Sequence, residues 1–221
     1  MRQKLLEIFE RLLRNYGPRH WWPAQGPFEV IVGAILTQNT AWTNVEKAIG
    51  NLQAVGALSP RVLAGLPAAE LERLVQPSGY FRQKARRLQS FARNLLERHD
   101  GSLERLFAGS LTEVRGELLA LHGIGPETAD SILLYAAHFP TFVIDAYTMR
   151  IFSRLGIVDD RQKYEEVRHL FLSHLPPDAP LFNEYHALIV EHGKTCCRKR
   201  EPFCGACILS DICLLYSRRP Q

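Results

Sequence analysis

LHGIGPETADSILLYAA, residues 121–137, joins the end of one helical pattern to the start of another. Gly123-Ile124-Gly125 breaks the first pattern and Pro126 opens the second. Proline suits the first helical position, where its missing N–H is no loss. Two glycines around one apolar residue permit a tight hairpin whose backbone approaches a partner closely. The exposed N–H groups of such a turn, with the helix N-terminus behind them, favour an anion such as phosphate. The same pattern also serves as an ordinary turn between two packed helices, so Gly123 and Gly125 carry two readings at this point.

Outward from the hairpin the chain reads as nearly all helix. Apolar residues recur at helical spacing in PFEVIVGAILTQ (27–38), ARRLQSFARNLLERH (85–99), YTMRIFSRLG (147–156), YEEVRHLFLSHL (164–175) and NEYHALIVEHG (183–193). Proline and glycine punctuate these stretches at Gly26-Pro27, Ser59-Pro60, Pro77-Ser78-Gly79, Asp100-Gly101 and Pro176-Pro177. No β-hairpin signal, internal repeat or low-complexity segment stands out. The fold class expected is all-α, with short connections.

The 221 residues suffice for a substantial core. No apolar run approaches the ~20 residues that span a bilayer. Charges interrupt every apolar stretch of MRQKLLEIFERLLRNYG (1–17), which speaks against a secretory signal. No membrane role and a cytoplasmic location are therefore expected. The net charge of +4 is a mild basic bias. Six basic residues from Lys194 onward (Lys194, Arg198, Lys199, Arg200, Arg218, Arg219) face only Glu201 and Asp211. A second group, Arg82, Lys84, Arg86, Arg87, Arg93 and Arg98, sits in FRQKARRLQSFARNLLERH (81–99). Each group is either a solvated helix face or part of a nucleic-acid surface. All five cysteines fall between 196 and 213. That clustering favours a metal or cluster site over a disulfide framework.

In TFVIDAYTMRIFSRLG (141–156) an apolar run ends at Asp145 and a helix begins. Aspartate is a favoured helix cap, which is one sufficient account of it. A carboxylate fixed at a helix start is also held ionised by backbone N–H groups. Facing a DNA cleft, it would stabilise an oxocarbenium-like sugar and guide a water. LHGIGPETAD paired with VIDAYTMRIFSRLG resembles the helix-hairpin-helix DNA glycosylases related to endonuclease III. The likeness extends from PFEVIVGAILTQNT to the terminal cysteines. It implies that Asp145 is the essential carboxylate and that Gly123 and Gly125 contact DNA phosphates. Bifunctional members carry a lysine at the position of Glu127. That amine attacks the sugar and goes on to cut the strand. Glutamate cannot do so, and hydrolytic base removal with little lyase activity is the expectation. Glu127 either takes part in that chemistry or complements a helix dipole. A substitute lysine, Lys84 or Lys194, stays open.

Cys197, Cys204, Cys207 and Cys213 form C-x6-C-x2-C-x5-C. Four thiolates in a short basic loop suit either [4Fe–4S] or structural zinc, and spacing alone excludes neither. The resemblance implies [4Fe–4S], in a loop (194–213) whose Arg198, Lys199 and Arg200 reach phosphates. Cys196 is the cysteine left over.

A glycosylase must draw its target base from the stack into a pocket. By resemblance ILTQNTAW (35–42) lines that pocket: Gln38 and Trp42 face it, joined by Trp21 and Trp22, and Asn39 plugs the emptied stack. Simple core roles are the other reading of the three tryptophans. SGYFRQKA (78–85) resembles a second inserting loop, with Tyr80 as wedge. The pattern WW…QNTAW…GIGPETAD…IDAY is most similar to the bacterial 3-methyladenine glycosylase branch, and an aromatic pocket attracts a cationic alkylated purine. Known members of that branch need not carry the cluster, whereas this chain has its four cysteines.

The resemblance implies two helical lobes flanking a DNA cleft. One is a six-helix barrel over 25–135. The other combines 1–24 with 136–221 and carries the cluster. The expected partner is double-stranded DNA with a damaged base, and the protein a monomer. Two alternatives remain: an endonuclease III-like enzyme for oxidised, deaminated or mismatched bases, and a non-catalytic module that binds damaged DNA.

Overall fold

The computed structural model describes residues 1–218, so Arg219 of the C-terminal basic group lies outside the described residues. Among those residues all regular structure is helical. The α-helices are α1 (Arg2–Tyr16), α2 (Pro27–Leu36), α3 (Trp42–Ala54), α4 (Pro60–Gly65), α5 (Ala68–Val75), α6 (Phe81–His99), α7 (Leu103–Leu106), α8 (Leu111–Ala120), α9 (Pro126–Tyr135), α10 (Ala146–Arg154), α11 (Tyr164–His174), α12 (Ala179–Thr195) and α13 (Leu214–Ser217). The chain divides into two units, Trp22–Phe139 and Met1–Trp21 with the chain from Pro140 onward.

The first unit is organised by α2. Its residues are apolar on every side but one, and all from Glu29 to Leu36 are buried. A helix hydrophobic all round belongs in the middle of a core. Around it α3 contributes Val45, Ala48, Ile49 and Leu52, α6 contributes Leu88, Phe91, Ala92 and Leu95, and α9 contributes Ala129, Ile132 and Leu133. Each such side chain removed from water stabilises by roughly 1.5–3 kcal/mol if large. Six helices of this unit have eight or more residues, and α4 and α7 are shorter. The two helices of the hairpin, α8 and α9, are joined by Arg115 and the wholly buried Asp130, paired twice at 3.0 Å.

The unit runs from 22 to 139, against the 25–135 expected from sequence. Local bonds account for the difference. Ala137 and Phe139 donate backbone N–H groups to Ile132 and Leu133 at 3.2 and 2.9 Å, which keeps 136–139 with α9. Trp22 packs against Gly33 of α2, where a Cβ would lie 2.9 Å from the indole.

The second unit has an aromatic core. Phe142 stacks on Phe171 at 4.0 Å, and Phe152, Phe182 and Tyr185 meet this pair edge-on or nearly so. The Tyr185 hydroxyl donates to the Leu5 carbonyl at 2.8 Å and so fixes α1 to α12. Leu5, Ile8 and Leu12, at helical spacing, bury the inner face of α1. Arg11 then pairs with Asp211 at 2.7 Å and ties α1 to the cysteine loop.

Candidate active site

Asp145 caps α10. Its Oδ1 accepts from the Thr148 backbone N–H at 2.7 Å and from the Thr148 hydroxyl at 2.9 Å. Its Oδ2 lies 3.6 Å from Nε2 of His186, a buried residue on α12. The Asp145 side chain keeps 12% exposure, so it is neither free in solvent nor sealed in dry core. Burial pushes its carboxyl pKa upward, but His186 and the two Thr148 donors outweigh burial and hold it below the usual value. The result is a fixed, ionised carboxylate with one oxygen committed to the helix. The sequence expectation did not include His186. Its only sequence signal is a histidine among the apolar residues of NEYHALIVEHG.

The hairpin is held from inside its own unit. Gly123 has φ of 86°, and a Cβ there would run into the Arg87 side chain. Gly125 is the cap residue of α9 and Pro126 its first residue. Gln38 donates to the Gly123 carbonyl at 3.0 Å and to the Thr128 hydroxyl at 2.9 Å, and its carbonyl accepts from Arg87. Both amide donors of Gln38 are therefore engaged by the hairpin. This differs from the pocket-facing role expected of it, because an amide two residues past α2 lies within reach of the turn. Glu127 is exposed in the first turn of α9.

Asn39 and Tyr80 are alike in an uncommon way. Both are exposed, and both are non-glycine residues at positive φ, 54° and 46°. Tyr80 is 65% exposed and caps α6 without a side-chain cap bond. Such conformations cost of order 1–3 kcal/mol and cluster at functional sites. Trp22 comes together with Trp42 at 5.1 Å and with Tyr135 at 5.3 Å, an aromatic group that also packs on α2. Tyr135 was not among the expected residues, and Trp21 belongs to the other unit.

The basic groups are only partly surface. Lys84 is 1% exposed, and its Nζ donates to the carbonyls of Leu36 and Ser78 at 2.9 and 2.6 Å. This removes it as a substitute nucleophile. Lys194, at the end of α12, is exposed. In the cysteine loop Lys199 and Arg200 are exposed, whereas the Arg198 guanidinium lies 3.8 Å over the Phe203 ring.

All five cysteines are free and half-buried, and all line one cavity walled by Phe203, Leu215 and Tyr216. Arg154 donates to Cys197 Sγ at 3.2 Å and the Leu209 N–H to Cys207 Sγ at 3.4 Å. Donors aimed at sulfur suit thiolates bound to a metal or cluster. Burial pushes the Cys207 thiol up to about 12, although the Leu209 N–H pulls it down. A bound cation would supply what the thiolate lacks there. The tightest donor group was not foreseen. Atoms of His192, Cys196 and Cys207 lie within 4.8 Å of one another. His192 is 1% exposed, and its Nδ1 is 2.9 Å from the Tyr16 hydroxyl. Cys196, set aside by the spacing argument, thus stands on the same cavity as the four.

Residues 32–177 match the family of HhH-GPD superfamily base excision DNA repair proteins. The chain belongs to that superfamily. A Methanocaldococcus jannaschii protein carrying the provisional name of DNA repair glycosylase is 43% identical over 213 residues, 96% of each chain. A 3-methyladenine DNA glycosylase of H. pylori, solved with 1,N6-ethenoadenine, is 31% identical with a TM-score of 0.76, over 86% of this chain and 97% of that one. A non-covalent endonuclease III–DNA complex is 22% identical and superposes with a TM-score of 0.85, over 99% of this chain and 98% of that one, a likeness of fold.

As a base excision DNA glycosylase of the endonuclease III type, the protein has its features distributed in order. The helix start after the apolar run carries the carboxylate. The hairpin carries the glycines, with Glu127 in the first turn of the helix that follows. The cysteine loop offers a superfamily glycosylase a thiolate-rich metal site.

Proposed function

We propose that this glycosylase removes its base by hydrolysis and leaves the strand uncut. The observation that carries the reading is Asp145: a carboxylate held ionised by Thr148 and His186, with glutamate rather than lysine at 127. Water would add to the anomeric carbon as the glycosidic bond breaks. The bonding electrons leave with the base, and one water proton is lost. Asp145 stabilises the cationic sugar on the way and orients the water. The buried, doubly bonded Lys84 supports the same reading, since its amine is engaged by two carbonyls and is not free to form a Schiff base, which leaves Lys194 as the substitute to test.

The base proposed is an N-alkylated purine such as 3-methyladenine. Its cationic ring needs little acid catalysis, and aromatic faces attract it by ~0.5–2 kcal/mol. Trp22 and Trp42 are the aromatic residues offered for this, with Trp21 the third expected by sequence. The purine glycosylase of H. pylori at 31% identity supports the choice. Asn39 fills the vacated stack, Tyr80 wedges beside the orphaned base, and Gly123 and Gly125 receive a phosphate. Lys199 and Arg200 add phosphate contacts, and Arg198 approaches from its place over Phe203. Cys197, Cys204, Cys207 and Cys213 would hold a [4Fe–4S] cluster, whose part is to fold this loop. The protein acts as a monomer on double-stranded DNA in the cytoplasm.

A panel of duplexes carrying 3-methyladenine, thymine glycol, uracil or a mismatch tests this. Release of 3-methyladenine is expected, without a covalent band after borohydride treatment with abasic DNA. Preferential release of thymine glycol would overturn the substrate. A strong trapped band would overturn hydrolysis. Binding without any release would favour the non-catalytic module.

A further inference from the structure

Lys84 lies in a place that packing alone does not require. A buried ammonium is costly unless its donors are matched. Here it takes the Leu36 carbonyl, one of the acceptors left open at the C-terminus of α2, where the helix dipole is negative. It also takes the Ser78 carbonyl, while its own backbone N–H donates to the Tyr80 carbonyl at 3.1 Å. The side chain therefore holds the chain two residues before Tyr80, and the backbone bond to Tyr80 is the ordinary first-turn bond of α6. The other partner of the side chain lies three residues before Asn39. Two of the four exposed, left-handed non-glycine residues of this unit, Asn39 and Tyr80, on stretches far apart in sequence, thus lie close along the chain to carbonyls held by one side chain.

We propose that Lys84 is a positioning residue that sets the Asn39 and Tyr80 loops as one unit, so that plug and wedge enter damaged DNA together. The inference rests on the DNA-inserting roles given above to those two residues. The left-handed backbone at each tip is strained, and strain persists only where the surroundings over-determine it. The Lys84 bonds supply that constraint at the base of both loops. Burial and the neighbouring Arg87 charge lower the Lys84 pKa to about 8, which leaves it charged at neutral pH. An ammonium with three donors holds two carbonyls without a rotational preference that would release either.

The experiment measures preference for a duplex with an abasic analogue over an undamaged one. Asn39→Ala, Tyr80→Ala and the double variant are compared with Lys84 present and with Lys84→Met. With Lys84 the two effects should be non-additive by about fivefold or more in affinity ratio. In the Lys84→Met background they should multiply independently. Equal coupling in both backgrounds overturns the proposal, since the coupling would then run through DNA. If Lys84→Met fails to melt cooperatively, the wild-type Lys84 ammonium is followed by nitrogen NMR. Its resonance should shift on binding the abasic duplex and stay in place with undamaged DNA; a resonance unmoved by both overturns the clamp. Neither readout needs base release, so a failed lesion panel and a failed clamp are told apart.

Discussion

Helices α9 and α10 both start with an acidic residue within their first turn or cap, yet the two starts are chemically opposite. At α10 Asp145 is the cap, and its Oδ1 closes over the Thr148 N–H and hydroxyl. At α9 the cap is Gly125, which has no side chain to close over the first N–H groups, and Glu127 is exposed one residue past Pro126. A helix start presents about half a positive charge. The α10 start already contains its anion and so suits a cation developing nearby. The α9 start leaves room for an anion from outside. On the proposed function the open start would grip a phosphate and the filled one would stabilise a cationic sugar. The contrast lies in which residue occupies the cap, not in net charge.

Replacing Asp145 with asparagine breaks the comparison on its charged side, with the largest effect expected. Asparagine caps helices about as well as aspartate, so the melting temperature should stay near wild type at neutral pH. Base release should fall by about 100- to 1000-fold, the usual scale for losing a group that stabilises transition-state charge. Binding to an abasic analogue should persist. The pH dependence has a defined sign. The folded carboxyl titrates below 3.8, so the stability it lends is present above that value and disappears as pH falls through the folded value. Wild type and Asp145→Asn should therefore melt close together across neutral pH and diverge only in strong acid, where wild type alone loses what its carboxylate lends. Release within tenfold of wild type would show that the carboxylate is only a cap.

Gly123→Ala attacks the open start, and its effect should be smaller. The new methyl group meets Arg87, and φ of 86° is unfavourable for alanine. A loss of about 1–3 kcal/mol in stability is expected, with roughly tenfold weaker binding to undamaged DNA as a phosphate seat is distorted. Calorimetry and a binding titration separate the two. Full DNA affinity in a destabilised protein would mean that this turn only packs helices.

Much of this was legible in the chain. The hairpin could be read because glycine and proline have few other uses at that spacing, and Asp145 because a cap follows directly on an apolar run. The cysteine loop could be read from composition. What stayed hidden depends on distance through space. Lys84 looked like one more cation in a basic helix, and only the carbonyls of Leu36 and Ser78 show why it turns inward. Gln38 looked like a pocket residue by position, until the Gly123 carbonyl and Thr128 hydroxyl claimed its amide. His186 and His192 are both buried on α12, where sequence offers no sign that one meets Asp145 and the other Cys207.

The smallest effect is expected of Glu127→Gln, and it sharpens the comparison most. If fixation rather than proximity to a helix start makes a carboxylate catalytic, removing the Glu127 charge should change base release by less than about threefold. Stability should drop by only about 0.3–1 kcal/mol, the range for an exposed charge in a first helical turn. DNA affinity should rise slightly, since a negative charge beside the phosphate seat is gone, and the gain should fade with added salt. Single-turnover release from 3-methyladenine DNA at two salt concentrations reads all but the stability. A loss as large as that of Asp145→Asn would place Glu127 in the chemistry and erase the distinction between the two helix starts.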